Sequence, residues 1–367
     1  MKICFPFPGD TVGGSHVNAA HTMSLLNERG HECIPTLHRQ DVLSDWMRDV
    51  GQEHVILPWD QSLATKGLSG VENVRRVAQP IPRMKRWLRE NGFDLVIPTD
   101  GRMLVAWSLP ARLASCKLVF HHQTKTIGSF MRKAARLAHK IITISEFTQN
   151  NLPASLKDRS VIIANPTPIP GMDRMTSRAR MSELVGVDEE SIIIGFVANL
   201  TEQKRPMDFV EASGRLRSKN RLFPMFGRPT NEMVDTDVKA RIKSLDMTEH
   251  MPLVGFVSNL PEMLGGLDIL VAPQIEEGFG RNVAEAMAAG VPVVASNSGG
   301  HPEFVQHGQT GFLTEPGDVD SIVEAIQALL SDSELASRIG DNAREFISEQ
   351  YSPDTYGDAF NKAITSL

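Results

Sequence analysis

Two carboxylates flank a glycine turn in the stretch Glu277-Gly-Phe-Gly-Arg-Asn-Val-Ala-Glu285, which continues Ala-Met-Ala-Ala-Gly290. Gly278 and Gly280 let the backbone approach a ligand with no Cβ in the way. The N–H groups at the start of the helix that follows favour an anion such as a diphosphate. A carboxylate one turn inside that helix can accept hydrogen bonds from two ribose hydroxyls. Diphosphate, ribose and a polar sugar together make a nucleotide sugar. The same residues also fit a plainer reading. Asn282 and Glu285 have the N-cap and N3 spacing of a capping box, and Glu277 then becomes a solvated loop acid.

Three further segments carry groups of the right kind. Gly9-Asp-Thr-Val-Gly-Gly-Ser-His16 is glycine-rich and precedes a helix, so Gly13 and Gly14 can line a phosphate or a sugar. It has neither the dinucleotide fingerprint nor the ending of a phosphate-binding P-loop, and by itself it reads as a tight turn with Ser15 as N-cap. Val119-Phe-His-His-Gln-Thr124 follows an apolar strand, which puts His121 and His122 where parallel strands present ligand-binding groups. Either can donate to a hydroxyl or a phosphate, or serve as a satisfied structural group. Phe196-Val-Ala-Asn-Leu-Thr-Glu-Gln-Lys-Arg-Pro206 ends a strand, and Lys204 and Arg205 then stand before a helix. Cations there can neutralise a leaving diphosphate, or form an ordinary solvated loop.

Alternating apolar runs and helical patterns must position these groups. Strands are expected at Ile3–Phe7, Cys33–Leu37, Leu95–Pro98, Lys117–Phe120, Lys140–Ile144 and Val161–Ile163, with a helix over Val17–Glu28. Asn165-Pro-Thr-Pro-Ile-Pro-Gly171 cannot continue a sheet or helix and reads as a linker. Beyond it, strands are expected at Ser191–Val197, Arg221–Phe226, Pro252–Phe256, Asp268–Ala272, Val291–Ala295 and Gly311–Leu313; Pro224 fits the second of these poorly. Helices are expected from about Pro206 and at Asn282–Ala289, Asp318–Leu330 and Ser333–Glu349. Alternation over both halves predicts an α/β protein of two doubly wound Rossmann-like domains facing across a cleft. The expected domains are residues 1–165 and 172–351, with a C-terminal helix of about 352–367 packing back on the first.

The 367 residues are 41% apolar and 22% charged, ordinary for a globular chain with a core in each domain. Cys4, Cys33 and Cys116 are too scattered for a zinc ribbon or a disulfide framework. The first residues are too proline-rich for a signal peptide, and no apolar run approaches a membrane span, so a cytoplasmic location is expected. The net charge of −6 is unevenly distributed. Residues 1–165 hold 21 Lys/Arg against 14 Asp/Glu, and residues 166–367 hold 17 against 30. Basic clusters occur at Arg75, Arg76, Arg83, Lys85, Arg86 and Arg89 and at Arg132, Lys133, Arg136 and Lys140. With Trp87, Leu88, Phe130, Met131 and Leu137 nearby, they suggest either a helix face at an anionic lipid surface or a solvated face with its apolar side in the core. No nucleic-acid module is present, and nucleic acid is not expected as a partner.

The ordered set of motifs, densest from Ile192 to Leu313, resembles the retaining nucleotide-sugar glycosyltransferases of family 4, the glycosyltransferase group 1 type with the GT-B fold. It includes Glu-Gly-Phe-Gly, Glu-Ala-Met-Ala-Ala-Gly, Val-Pro-Val-Val-Ala, Gly-Gly-x-Pro-Glu and Thr310-Gly-Phe-Leu313. The resemblance implies transfer of a hexose from a nucleoside diphosphate sugar to an acceptor hydroxyl, in the synthesis of a glycan, glycolipid or glycoconjugate. It implies that Glu277 contacts donor-sugar hydroxyls, Glu285 holds the ribose and Lys204 holds the diphosphate. Gly13, Gly14, Gly278, Phe279 and Gly280 would line the donor. His121, with His122 as alternate, would face the transferred sugar. Acceptor contacts would fall in loops such as residues 58–72 and 100–108.

The chain departs from the family pattern at Asn199, which stands where arginine is usual; Arg205 or Arg281 would compensate. His301 is a second departure, inside Gly-Gly-His-Pro-Glu. No cofactor is implied, and UDP is favoured over GDP or ADP as the carrier. The acceptor would be a glycan, a lipid-linked sugar or a small molecule, with peripheral membrane contact an option. Asp235-Thr-Asp237 and Asp318-Val-Asp320 match a metal-binding Asp-x-Asp in letters, but neither follows an apolar strand, so no metal is expected. A sugar-nucleotide epimerase of similar fold and a non-catalytic nucleotide-sugar-binding protein are the competing readings.

Overall fold

The computed structural model describes residues 1–10, 12–57, 76–125 and 127–367. Thr11, residues 58–75 and Thr126 lie outside the described residues, and with them Arg75 and the acceptor loop expected at 58–72. The chain divides into two compact units, Met1–Pro166 together with Pro353–Leu367, and Thr167–Ser352. Among the described residues no helix is long and apolar enough to cross a membrane.

The first unit is built on strands β1 (Lys2–Phe7), β2 (Glu32–Leu37), β3 (Val55–Ile56), β4 (Leu95–Val96), β5 (Lys117–His122), β6 (Lys140–Thr143) and β7 (Ser160–Ile162). They pair in parallel in the order β3-β2-β1-β4-β5-β6-β7. Alternate residues face opposite sides, as the pleat requires. Cys4, Val96 and Phe120 pack with Leu88 and Trp107 on one face. Phe5, Ile97 and Val119 pack with Met23 and Phe360 on the other. Phe360 comes from the helix Pro353–Thr365, which is fastened to the unit by Tyr356 Oη to Thr22 Oγ1 at 2.6 Å and by Arg29 to Asp358 at 2.9 Å. In the basic helix Ile81–Glu90, Met84 and Leu88 are buried and Trp87 packs on Phe93 and Trp107. The apolar side of that helix is therefore spent in the core, with Arg83, Arg86 and Arg89 left exposed.

The second unit contains β8 (Ile192–Val197), β9 (Arg221–Leu222), β10 (Met225–Phe226), β11 (Leu253–Gly255), β12 (Ile269–Ala272), β13 (Val293–Ser296) and β14 (Phe312–Thr314). The parallel order is β11-β10-β8-β12-β13-β14, with β9 also beside β8. The single strand expected over Arg221–Phe226 is thus two pieces. Pro224 has no N–H to give the ladder, although its carbonyl still accepts from Phe196 N at 3.0 Å. Continuous apolar strands sit between helices: Ile194 and Phe196 of β8 share a core with Phe209, Val238 and Ile326.

Each sheet reverses its winding once. In the first unit the chain leaves β1 toward β2 and β3, then returns to β4 on the other side. In the second it leaves β8 toward β10 and β11, then returns to β12. Loops at the carboxyl ends of such strand pairs diverge and leave a crevice.

Candidate active site

In the second unit, the loops after β8, β12 and β13 meet at the winding reversal. A backbone and a side-chain hydrogen bond lock the first two together. Ile275 N donates to Gln203 O at 3.0 Å, and Gln203 Nε2 donates to Ile275 O at 3.3 Å. This places Lys204 Nζ on the Glu277 carboxylate, both side chains being half-buried. The residues next to that pair, Arg205 and Glu276, hold left-handed φ values of 52° and 53°. A non-glycine residue there costs on the order of 1 kcal/mol or more, and such strain collects at sites whose geometry is fixed for binding.

The loop after β13 closes from beneath. Gly300 N donates to Glu277 O at 2.9 Å. A Cβ on Gly300 would lie 2.8 Å from Gly278 O and 3.1 Å from Phe279 Cα, so the two loops can touch only without a side chain there. Phe279, 4% exposed, turns inward onto Phe304 and Tyr351 with ring centroids 5.1 and 5.7 Å away. Its side chain anchors the loop, and only its backbone is left for a ligand.

Gly280, at φ 96°, is the N-cap of the helix Arg281–Ala288, so the capping-box reading of Asn282 and Glu285 does not hold. Left-handed Gly280 starts the helix before Asn282, which frees both side chains for other work. Arg281 reaches Glu285 at 2.6 Å, one turn along the helix. Asn282 Nδ2 donates to Val197 O at 2.8 Å. Asn199, in the loop just after β8, accepts from Arg228 N at 3.2 Å. Arg205 is held in a two-pronged pair with Asp208, with Nη2 at 2.9 Å from Asp208 Oδ1, which draws its charge away from Lys204.

The second unit thus gathers Lys204, Glu277, Gly278, Gly280, Arg281 and Glu285 at the carboxyl end of the central strands of its sheet. Sequence reasoning missed the floor of this site. Gln274, Ser296 and His301 are all buried, and Gln274 Nε2 is hydrogen-bonded both to Asn282 and to His301. Burial holds the His301 pKa near 4, with the Glu277 charge opposing the shift and Lys204 adding to it. The one sequence signal was a histidine between Gly-Gly and Pro-Glu.

In the first unit, Gly13 is the N-cap of the helix Gly14–Glu28, whose start precedes the Ser15 cap expected for a tight turn. Gly13 and Gly14 are exposed. His121 and His122 are the last residues of β5, inside the strand rather than after it. Both are buried, and their ring nitrogens have no hydrogen-bond partner among the described residues. His121 packs against Phe360 at 5.4 Å. Burial lowers their pKa values to about 3 and about 4 respectively, so both rings are neutral near neutral pH. Across the winding reversal of this unit, Arg102 grips Asp10 with two hydrogen bonds of 2.7 and 2.9 Å, which the sequence did not signal. The Asp-x-Asp letters serve structure: Asp318 caps the helix Val319–Ser331 and Asp235 pairs with Lys239 at 2.6 Å.

Residues 177–346 match the family model described as glycosyl transferases group 1. Over 166 residues the chain is 31% identical to the N-acetyl-alpha-D-glucosaminyl L-malate synthase of Bacillus anthracis, covering 45% of this chain and 43% of that one. The chain therefore spans less than half the length of that curated relative. It is 24% identical over 272 residues to the Escherichia coli UDP-Gal:alpha-D-GlcNAc-diphosphoundecaprenol alpha-1,3-galactosyltransferase, covering 68% of this chain and 69% of that one. Among solved structures, Anabaena HepE in complex with UDP and glucose superposes with a TM-score of 0.84 at 20% identity, covering 100% of both chains. Two Rossmann-like units with parallel sheets give the chain the GT-B fold, and its residues 177–346 are similar to the glycosyl transferases of group 1.

Proposed function

We propose that the protein is a retaining glycosyltransferase of the family 4 type, moving a hexose from a nucleoside diphosphate to an acceptor hydroxyl. The observation that carries this reading is the meeting of Lys204, Glu277, the Gly278–Gly280 turn and Glu285 at the winding reversal of the second sheet. The diphosphate would lie over the start of the helix Arg281–Ala288, within reach of Lys204, and the ribose would rest on Glu285. Glu277 would exchange its hold on Lys204 for donor-sugar hydroxyls as phosphate oxygens arrive. The main barrier is separation of an oxocarbenium-like sugar from a charged leaving group, and preorganised cations and N–H dipoles lower it. No enzymatic nucleophile is needed if attack occurs on the face the diphosphate leaves.

The uracil nucleotide is the preferred carrier in this reading, because the chain resembles proteins solved with UDP and UDP-glucose. The acceptor, a glycan, lipid-linked or small-molecule alcohol, is assigned to the first unit. There His121 or His122 would hydrogen-bond the transferred sugar. Contact with an anionic membrane would fall at Phe130, Arg132 and Lys133, all exposed on the short helix Ser129–Ala135.

A thermal-shift screen of UDP-, GDP- and ADP-sugars tests the donor, since a bound ligand raises stability with the logarithm of its saturation. A rise with UDP-sugars, followed by UDP release only when an alcohol acceptor is present, is expected. Donor conversion without acceptor would indicate an epimerase, and binding without UDP release a binding protein.

A further inference from the structure

Beneath the Gly278–Gly280 turn runs a chain of polar groups, half-buried at Asn282 and buried at Gln274, Ser296 and His301, whose donor and acceptor roles follow from the backbone carbonyls at its two ends. It begins at Val197 O on β8, a pure acceptor, so Asn282 must present its NH2 there, at 2.8 Å. That turns Asn282 Oδ1 toward Gln274, whose Nε2 donates to it at 3.0 Å. The second hydrogen of the same amide points to His301 Nε2 at 3.4 Å, which must therefore be the bare, accepting nitrogen. The ring proton then sits on Nδ1, which lies 3.2 Å from Ser296 O on β13, again a pure acceptor. Ser296 Oγ closes the chain by donating to Gln274 O. The His301 ring also supports Gly280: a Cβ there would lie 2.6 Å from His301 Cδ2. Glu277 and Lys204 are the charged groups whose fields reach the ring.

We propose that His301 is a positioning residue: as the neutral Nδ1–H tautomer it ties β13 through Gln274 and Asn282 to β8, and so fixes the Gly278–Gly280 turn in its anion-binding shape. A neutral ring accepts from Gln274. A protonated one would set two donors face to face and break the chain at its centre. This inference rests on the donor-site reading for its consequence in nucleotide binding but not for its structural one.

Two measurements test it. Nitrogen-15 NMR of histidine-labelled protein reads the tautomer directly, without any ligand. Nδ1–H with bare Nε2, unchanged from about pH 8 to about pH 5, is expected. Nε2–H, or an imidazolium at about pH 6, overturns the proposal. Calorimetry with UDP then reads the consequence. His301→Phe and Gln274→Met should each weaken UDP binding on the order of ten-fold, the scale of one lost hydrogen bond. His301→Asn keeps the donor to Ser296 O and should recover part of the loss if the contact to β13 matters. The double variant His301→Phe/Gln274→Met should be no weaker than either single variant, because both cut one chain. Additive losses, or wild-type UDP affinity in a folded His301→Phe or Gln274→Met, overturn the proposal. Should the wild-type protein bind no nucleotide, the donor-site reading falls, and the tautomer alone decides the role of His301.

Discussion

Lys204 is the side chain on which the proposed chemistry most depends. Arg205 is committed to Asp208 and Asn199 carries no charge, which leaves Lys204 as the cation paired with Glu277 at the turn. Lys204→Ala should lower turnover by about 10²-fold or more, the range for losing one charge-stabilising donor. Steady-state rates with saturating donor and acceptor check this, and unchanged turnover would remove Lys204 from the mechanism. That Glu277, the glycines and Glu285 lie close together was legible in the sequence because their spacing along one turn and one helix is local. The Gln274–His301 link was not, because its members stand 27 residues apart and meet only when β12 and β13 lie side by side. Phe279 shows the opposite limit, since the motif names the residue but not the direction of its ring.

At the scale of elements, the apolar strands and the alternation that makes them parallel could be read directly. Boundaries could not, wherever one residue's backbone decides them. Gly280 in a left-handed conformation moves a helix start, and Pro224 splits a strand. The loop contact at Gly300 yields a prediction of the same kind. Gly300→Ala forces a methyl group against Gly278 O and should cost about 1–3 kcal/mol, the usual range for overpacking. Denaturant melts of the variant measure that cost, and a melt equal to wild type would mean the two loops separate freely. Loss of UDP-induced stabilisation should accompany it. The Asp-x-Asp letters belong here too. With Asp318 capping a helix and Asp235 tied to Lys239, turnover should be equal with and without chelator, and a rate that fell with chelator would require a metal site elsewhere.

For the molecule as a whole, the two-unit α/β architecture followed from alternation and the proline-rich stretch near residue 165. The weight of buried histidine did not, because burial is a property of the folded chain. Burial lowers His38, His122 and His301 to about 4 and His121 to about 3 from an ordinary 6.5. The unfolded chain therefore takes up protons first as pH falls. Stability should be insensitive to these groups above their ordinary value and should decline as pH drops from about 6.5 toward about 4. Urea midpoints across that window test the sign, and His122→Gln should flatten the slope. A midpoint that rises on acidification would mean these rings are not neutral in the fold.

The return of Pro353–Thr365 to the first unit makes the second an uninterrupted insert within a split host. On a ribosome, the insert can complete itself while the host still lacks Tyr356 and Phe360, the partners of Thr22 and His121. Assembly of the host therefore waits on residues made after the insert, and a nascent chain stopped before Pro353 would hold a finished insert beside a host missing the helix Pro353–Thr365.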